Sequence, residues 1–314
     1  MTGIGSLGNG YTISFAESIN NSGNIAGYAD TSTYLTHAFL YSGGMMTDIG
    51  TLGGSDSYAF GINNSNEIVG RSQTSGNSTN DAFLYSNGKM TDLGTLGGGS
   101  SSASAINNAG QVAGYADTTA FAQTHAFLYS NGTMKDLGTL GGSNGDSYAT
   151  AINASGQVTG YSTTSSTYGV PYHAFIDSNG VMTDLGTVPG YTTSQGFGIN
   201  DAGQVVGEVF NTNPLFGQHA FLYSDGHMID LNSLLPAGST WDLQEAQAIN
   251  NSGDIVGYGT TSPGGLPHAF FLSPQSVPEP SSFILLACGF AVVAPGAMRR
   301  LQAHHKGQGR NRQS

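Results

Sequence analysis

Apolar and polar residues alternate in short runs along most of the chain, and the runs return in a fixed order. A unit opens with a small and apolar segment ending in Ile-Asn, such as SYAFGIN at 57–63, followed by a tight polar connection and a second run such as QVAGY at 111–115. Then comes HAFLY or a near copy, beginning at His37, Asp81, His125, His173, His219 and His268, a polar turn, and a short segment of the form MTDLG. Alternation over four to eight residues, punctuated by Gly, Asn and Asp, predicts half-buried strands rather than helices. The phrase TLGG marks the period. It stands at Thr51, Thr95 and Thr139, with degenerate forms at Ser6, Thr187 and Ser233, giving spacings of 45, 44, 44, 48 and 46. Units of this length with four strand signals each predict an all-β chain, a β-propeller of about six four-stranded blades. The repeats run near 6–50, 51–94, 95–138, 139–186, 187–232 and 233–275, so 1–275 forms one repeat domain.

The turns carry their own signals. The first connection of each unit has Gly23, Gly110, Gly156, Gly203 or Gly253 at one place, and Asn66 in the second unit. Both types tolerate a left-handed backbone, which predicts positive φ there. Asn87-Gly88, Asn131-Gly132 and Asn179-Gly180, with Gly43-Gly44 and Asp225-Gly226 as variants, predict two-residue hairpins. Counting outward from such a turn pairs Tyr129 with Met134, Phe127 with Asp136 and His125 with Gly138. His125 is then diagonal to Asp136 on the same face, within hydrogen-bond reach. The pair recurs as His37 with Asp48, His173 with Asp184, and His219 with Asp230. Because the repeat spreads such pairs around a ring instead of converging them, we expect structural bridges between half-buried polar groups. The functional alternative, a ring of imidazoles lining the channel, is broken by Asp81 in the second unit.

Charge is scarce, at 9% of residues, and glycine is abundant, with 48 copies. The net charge of −12 conceals an asymmetry: residues 1–280 hold three basic and 20 acidic groups, while Arg299, Arg300, Lys306, Arg310 and Arg312 crowd the end. Such an acidic surface repels nucleic acid and anionic lipid, so no nucleic-acid partner is expected. The single cysteine, Cys288, excludes an intrachain disulfide and any multi-cysteine metal site.

Both ends of the chain depart from the repeat. MTGIG at 1–5 matches MTDIG at 46–50, and the last unit, after HAFFL at 268–272, lacks that segment. One expectation is that the first residues supply the last blade's fourth strand and seal the ring. The competing one is that Met1, standing where Met46, Met90 and Met134 stand, is internal to a longer gene; a seventh blade then precedes it. At the other end an apolar run from Phe283 to Met298 predicts a single hydrophobic helix, barely long enough to span a bilayer if Ser281 and Ser282 are included. Arg299 and Arg300 follow on what would be its cytoplasmic flank.

The Pro278-Glu279-Pro280 triplet, the hydrophobic run and the Arg299-Arg300 close resemble a PEP-CTERM sorting signal. The resemblance implies export in a Gram-negative, exopolysaccharide-producing bacterium, with recognition near Pro278 to Pro280 by an exosortase, a membrane cysteine peptidase. On it, 276–301 is a sorting segment that anchors transiently in the inner membrane and 302–314 a basic cytoplasmic tail. The repeats resemble the HAF family of extracellular repeats over about residues 3–272, through His37-Ala38-Phe39, His125-Ala126-Phe127, His173-Ala174-Phe175, His219-Ala220-Phe221 and His268-Ala269-Phe270. That resemblance implies a place outside the cytoplasm and no particular activity. A signal peptide is expected of such proteins, and MTGIGSLGNG carries neither a basic n-region nor an apolar h-region, which favours the longer gene.

No catalytic residue, metal set or cofactor motif is assigned. GGSNG at 141–145 fits G-x-S-x-G but lies in an inter-blade connection without the strand-to-helix elbow that motif needs. The Asn-x-Ser/Thr triplets at Asn20, Asn63, Asn77, Asn131, Asn153 and Asn250 are ordinary for a chain this rich in Asn, Ser and Thr. Two functions stay open. One is a non-enzymatic surface or biofilm-matrix propeller that binds exopolysaccharide through the longer loops at 163–172 and 208–218, which carry Tyr, Phe and Pro. The other is a glycan-cleaving hydrolase or lyase, which needs two carboxylates, or a carboxylate with His or Tyr, converging from different blades.

Overall fold

A computed structural model of the chain describes residues 3–8, 13–76, 79–119, 123–142, 144–165, 171–211, 217–262, 264–274 and the backbone of 285–287. Its strands fall into six antiparallel four-stranded sheets, each a meander of consecutive strands. Blade 1 holds β1 (Ser14–Ile19), β2 (Ile25–Asp30), β3 (Thr36–Ser42) and β4 (Met45–Asp48). Blade 2 holds β5 (Gly53–Ile62), β6 (Ile68–Thr74), β7 (Asn80–Ser86) and β8 (Lys89–Asp92). Blade 3 holds β9 (Gly97–Ile106), β10 (Val112–Thr118), β11 (Thr124–Ser130) and β12 (Thr133–Asp136). Blade 4 holds β13 (Ser147–Ile152), β14 (Val158–Thr163), β15 (Tyr172–Ser178) and β16 (Val181–Asp184). Blade 5 holds β17 (Thr193–Ile199), β18 (Val205–Phe210), β19 (Gln218–Ser224) and β20 (His227–Asp230). Blade 6 holds β21 (Asp242–Ile249), β22 (Ile255–Thr260), β23 (His268–Pro274) and β24 (Leu285–Ala287).

The hairpins follow the turn chemistry. Asn131 and Gly132 have φ of 51° and 78°, and the other four pairs match them, so the loop twists with its strands. The ladder pairs Phe127 with Asp136 and Tyr129 with Met134. Gly23, Asn66, Gly110, Gly156, Gly203 and Gly253 all have positive φ, between 61° and 83°.

Apolar burial is divided among the seams between blades. In the seam between blades 2 and 3, Val69 and Ala82 meet Ala103, Val112 and Phe127. The HAF phenylalanines Phe39, Phe83, Phe127, Phe175 and Phe221 are fully buried. Each first strand also carries a register shift near its middle, as between Ala59 and Gly61.

Two expectations for the chain ends are corrected. Residues 3–8 form no strand; Gly5 C=O instead accepts a hydrogen bond from Ser14 Oγ at 2.8 Å, as Gly50 C=O does from Ser57 Oγ at 2.6 Å. The segment thus behaves as a lead-in to blade 1. The outer edge of β23 is paired by Leu285–Ala287, with Leu272 opposite Ala287. An apolar segment adjacent in sequence satisfies an open sheet edge as readily as a repeat strand, because the edge demands only backbone donors and acceptors. Those three residues are therefore strand where a helix was expected, and the rest of the predicted helix, Phe283, Ile284 and 288–298, lies outside the described residues. Among the described residues no helix is long and apolar enough to cross a membrane. Among the described residues, strands of blade 1 do not pack against strands of blade 6 as neighbouring blades do, so the described blades form an open arc.

Candidate functional site

The sequence-predicted histidines and aspartates meet pairwise. Nδ1 of His37, His125, His173 and His219 lies 2.8, 2.9, 2.9 and 2.7 Å from Asp48, Asp136, Asp184 and Asp230. The carboxylate also caps the turn that follows: Asp136 Oδ1 accepts from Gly138 N–H at 2.7 Å and Asp184 Oδ1 from Gly186 N–H at 2.7 Å. Burial opposes charge on Asp136, but the hydrogen bonds from His125 and Gly138 outweigh it and hold the carboxyl below its ordinary value. The hydrogen bond to Asp136 raises His125 against the opposing effect of burial. In blade 2 the place of His is taken by Asp81, whose carboxyl is raised by burial, by the charge of Asp92 and by a hydrogen bond to Asp92. That blade sets two carboxyls together where the others set a histidine against an aspartate. Pro278, Glu279, Pro280, Arg299 and Arg300 lie outside the described residues, as does Ser143 of the GGSNG segment.

The His125 to Asp136 pair carries a pH signature. A raised histidine contributes stability that is fully present below its ordinary value of 6.5 and is lost as pH climbs through the folded value. A lowered aspartate contributes above its ordinary 3.8, and loses the contribution as pH falls through the folded value. The His125 and Asp136 pair therefore works best between those limits. Urea unfolding of His125→Gln should show a loss of about 1 kcal/mol near pH 6, since the carboxylate is part-exposed, and a smaller loss at high pH, where the parent's histidine is neutral.

A second set of side chains occupies the seams around the middle of each second strand. One residue past the strand glycine stand Tyr28, Arg71, Tyr115, Tyr161, Glu208 and Tyr258. In most seams this place is aromatic. Tyr28 meets Tyr58 edge-on at 5.0 Å, Tyr115 meets Tyr148 at 5.3 Å, Tyr161 stacks on Tyr148 at 5.2 Å, and Arg71 lies over Tyr58 at 5.1 Å. Between blades 5 and 6 carboxyls replace the aromatics. Glu208 on β18 faces Glu245 on β21, and burial followed by the charge of Glu245 pushes Glu208 up to about 7. Tyr258 O–H donates to Glu245 Oε2 at 2.7 Å, and Gln218 Nε2–H donates to the Tyr258 oxygen at 3.3 Å. Burial, the hydrogen bond and the charge of Glu245 raise Tyr258, so the phenol keeps its proton.

A cavity of about 530 Å³ opens here, lined by Glu208, Phe210, Asn211, Gly217, Gln218, Gln244 and Tyr258. It lies between the two described ends of the 208–218 loop, one of the loops the sequence marked. The carboxyl pairing with blade 6 was missed, although Glu at a repeat position otherwise held mainly by Tyr was a visible signal. A second cavity between the same blades, of about 620 Å³, is lined mainly by apolar side chains such as Leu222, Leu234, Ile249 and Pro274, and brings no carboxyl pair together. Among the described residues no three His, Cys, Asp or Glu could hold a metal ion.

Similarity to known proteins bears on the fold. Over 82% of its length the chain superposes on 78% of the β-propeller domain of the Trilobed protease from Pyrococcus furiosus, with a TM-score of 0.53 at 10% identity. The fold is a β-propeller. That domain is described as having an open velcro topology. Weaker likenesses, which carry no argument, are to TolB from Acinetobacter baumannii, at TM-score 0.46 and 14% identity over 69% of this chain and 53% of that one, and to an arginine-to-alanine mutant of AofleA from Arthrobotrys oligospora, at 0.43 and 10% over 88% and 89%. Residues 142–263 match a family model described as a protein of unknown function, DUF3466. No curated protein sequence matches the chain.

Proposed function

We propose that the chain is an exported cell-surface or biofilm-matrix protein whose propeller binds polysaccharide, without turning it over, in the cleft between blades 5 and 6. The observation that carries this reading is the cleft's chemistry. Phe210 and Tyr258 offer ring faces for sugar, and Asn211, Gln218, Gln244 and Glu208 offer donors and acceptors around a volume suited to a short oligosaccharide. Near neutrality Glu208 is part-protonated, so it donates as well as accepts without adding full negative charge to an acidic surface. Export rests on the sequence: the Pro278-Glu279-Pro280 triplet and the Arg299-Arg300 close resemble a signal read by an exosortase.

Affinity electrophoresis through gels containing neutral or acidic bacterial exopolysaccharide tests the binding. The parent chain should be retarded, and Tyr258→Ala should weaken retardation by about tenfold or more. Unretarded parent protein in every gel overturns the reading.

A second reading, a glycan-cleaving hydrolase or lyase, is favoured by one observation: a carboxyl that titrates near 7 stands beside Glu245, itself hydrogen-bonded to a tyrosine. In that case Glu208 is the general acid, and cleavage falls as pH rises through about 7. New reducing ends or unsaturated products that vanish in Glu208→Gln would make the protein an enzyme; binding without chain shortening leaves it a binding module.

A further inference from the structure

The blade seams are built from one repeated set of contacts. The HAF alanine of one blade donates its N–H to a serine Oγ of the next: Ala38 to Ser57, Ala82 to Ser101, Ala126 to Ser147 and Ala174 to Ser194, each at 2.8 Å. The asparagine ending each first strand donates from Nδ2 to the C=O of its counterpart one blade on, linking Asn20 to Asn63, Asn107, Asn153, Asn200 and Asn250 in turn. Small apolar residues complete the seam. Ala26, Val69, Ala113 and Val206 on one side are fully buried, and so are Ala59, Ala103 and Ala246 on the other.

Each end of the arc carries one half of this set uncovered. On blade 6, Val256 is 44% exposed, Phe271 is 40% exposed, and Ala269, the HAF alanine, is exposed. Asn250 spends Nδ2 on Asp254 within its own turn and passes nothing to a further blade among the described residues. On blade 1, Ala16 is exposed and Ile19 is 66% exposed, whereas its counterpart Ile62 is 7% exposed. Ser14 Oγ already donates to Gly5 C=O, as the seam serines do to theirs, which leaves it the acceptor for an incoming N–H.

We propose that copies of this chain associate head to tail, the free face of blade 6 of one copy docking on the free face of blade 1 of the next. The choice of a second copy follows from the chemistry. Ala269 N–H and Ser14 Oγ, Asn250 Nδ2 and Asn20 C=O, and Val256 with Phe271 against Ala16 and Ile19 are the halves of contacts the chain's own seams already make, the alanine to serine bond four times and the asparagine bond five times. The faces complement each other and not themselves. A symmetric pair joined through two blade 1 faces sets hydroxyl against hydroxyl and leaves Ala269 N–H without its acceptor. The contact is therefore heterologous, and repetition closes it into a ring or extends it into a filament. A ring covers the apolar ends of every copy, and a filament leaves free only one face of the copy at each of its two ends.

The test uses the full chain in nonionic detergent and two variants, Ala16→Arg to block the blade 1 face and Phe271→Arg to block the blade 6 face. Sedimentation velocity from micromolar to near-millimolar protein should show parent species growing beyond 32.2 kDa with concentration, and each variant alone as a monomer. An equimolar mixture of the variants should stop at a dimer, because only one productive pair of faces remains. If either variant fails to give the parent's circular dichroism spectrum, Ile19→Lys or Val256→Lys replaces it. A monomeric parent overturns the proposal, whether its ends are open or have closed on each other. So does a variant that assembles like the parent, or a mixture that stays monomeric while the parent assembles.

Discussion

Gly114→Ala should destabilise the protein by about 3 kcal/mol or more, a larger effect than an alanine has in any ordinary strand interior. The reason lies in the blade's first strand. Its register shift brings the backbone of β9 against β10, so that a Cβ at Gly114 runs into the carbonyl oxygen of Ser102 and comes within 2.8 Å of both Ala103 Cα and the tip of the Phe127 ring. Two of these obstacles are backbone and cannot rotate away. The third is the HAF phenylalanine, which lies across the glycine directly opposite it in the ladder. Gly27, Gly70, Gly160, Gly207 and Gly257 repeat the arrangement against Phe15, Tyr58, Tyr148, Gln195 and Glu245. Urea unfolding of Gly114→Ala, Phe127→Ala and the double variant separates the causes. If the ring were the main obstacle, removing it would rescue Gly114→Ala; the carbonyl predicts no rescue. A cost below about 1 kcal/mol for Gly114→Ala sinks the argument, since that is the range of a strand glycine with free space.

This contact also shows where sequence reasoning stops. Asn131-Gly132 and the alternation in HAFLY were enough to define a hairpin and count its register, because a two-residue turn leaves one register. Asn66 standing among glycines was enough to define a left-handed turn. Those are local facts, fixed by neighbours in the chain. The close approach of Ser102 C=O to Gly114 depends on a bulge, which changes no residue type and breaks no alternation; only a glycine recurring inside a strand signalled it. The His to Asp pairs were legible for the same local reason as the hairpins, since both partners lie on one turn. Glu208 and Glu245 were not, because they belong to different blades and meet only once the seam has been assembled. The chain start was misjudged for a related reason. MTGIG matches a fourth strand in type, but what pairs with an edge is decided by which segment reaches it.

Asn153→Ala should cost about 2 to 4 kcal/mol, while Asn250→Ala costs less than about 1 kcal/mol, although the two residues hold the same place in their repeats. Asn153 is 4% exposed and spends its side chain fully. Its Oδ1 accepts the N–H groups of Ser155 at 3.1 Å and Gln157 at 2.9 Å, which shapes its own turn. Its Nδ2 donates to Gln157 Oε1 at 2.8 Å and to Asn200 C=O at 3.0 Å, which ties blade 4 to blade 5. Truncation strands a carbonyl and two amides in a dry seam, and an unmet buried group costs more than a met one contributes. Asn250 makes the corresponding bonds only within its own exposed turn, to Ser252, Asp254 and the Asp254 carboxylate, so water replaces what alanine removes. Stability in such an array is a sum over blades and the seams between them. The two substitutions differ by the worth of one seam bond in place, and equal unfolding midpoints for the two variants would show that the ladder couples nothing. Four of the six ladder asparagines, Asn20, Asn63, Asn153 and Asn250, stand in Asn-x-Ser/Thr triplets that look like chance in the sequence. Their recurrence just after the first strand is instead what lets each blade hold the next.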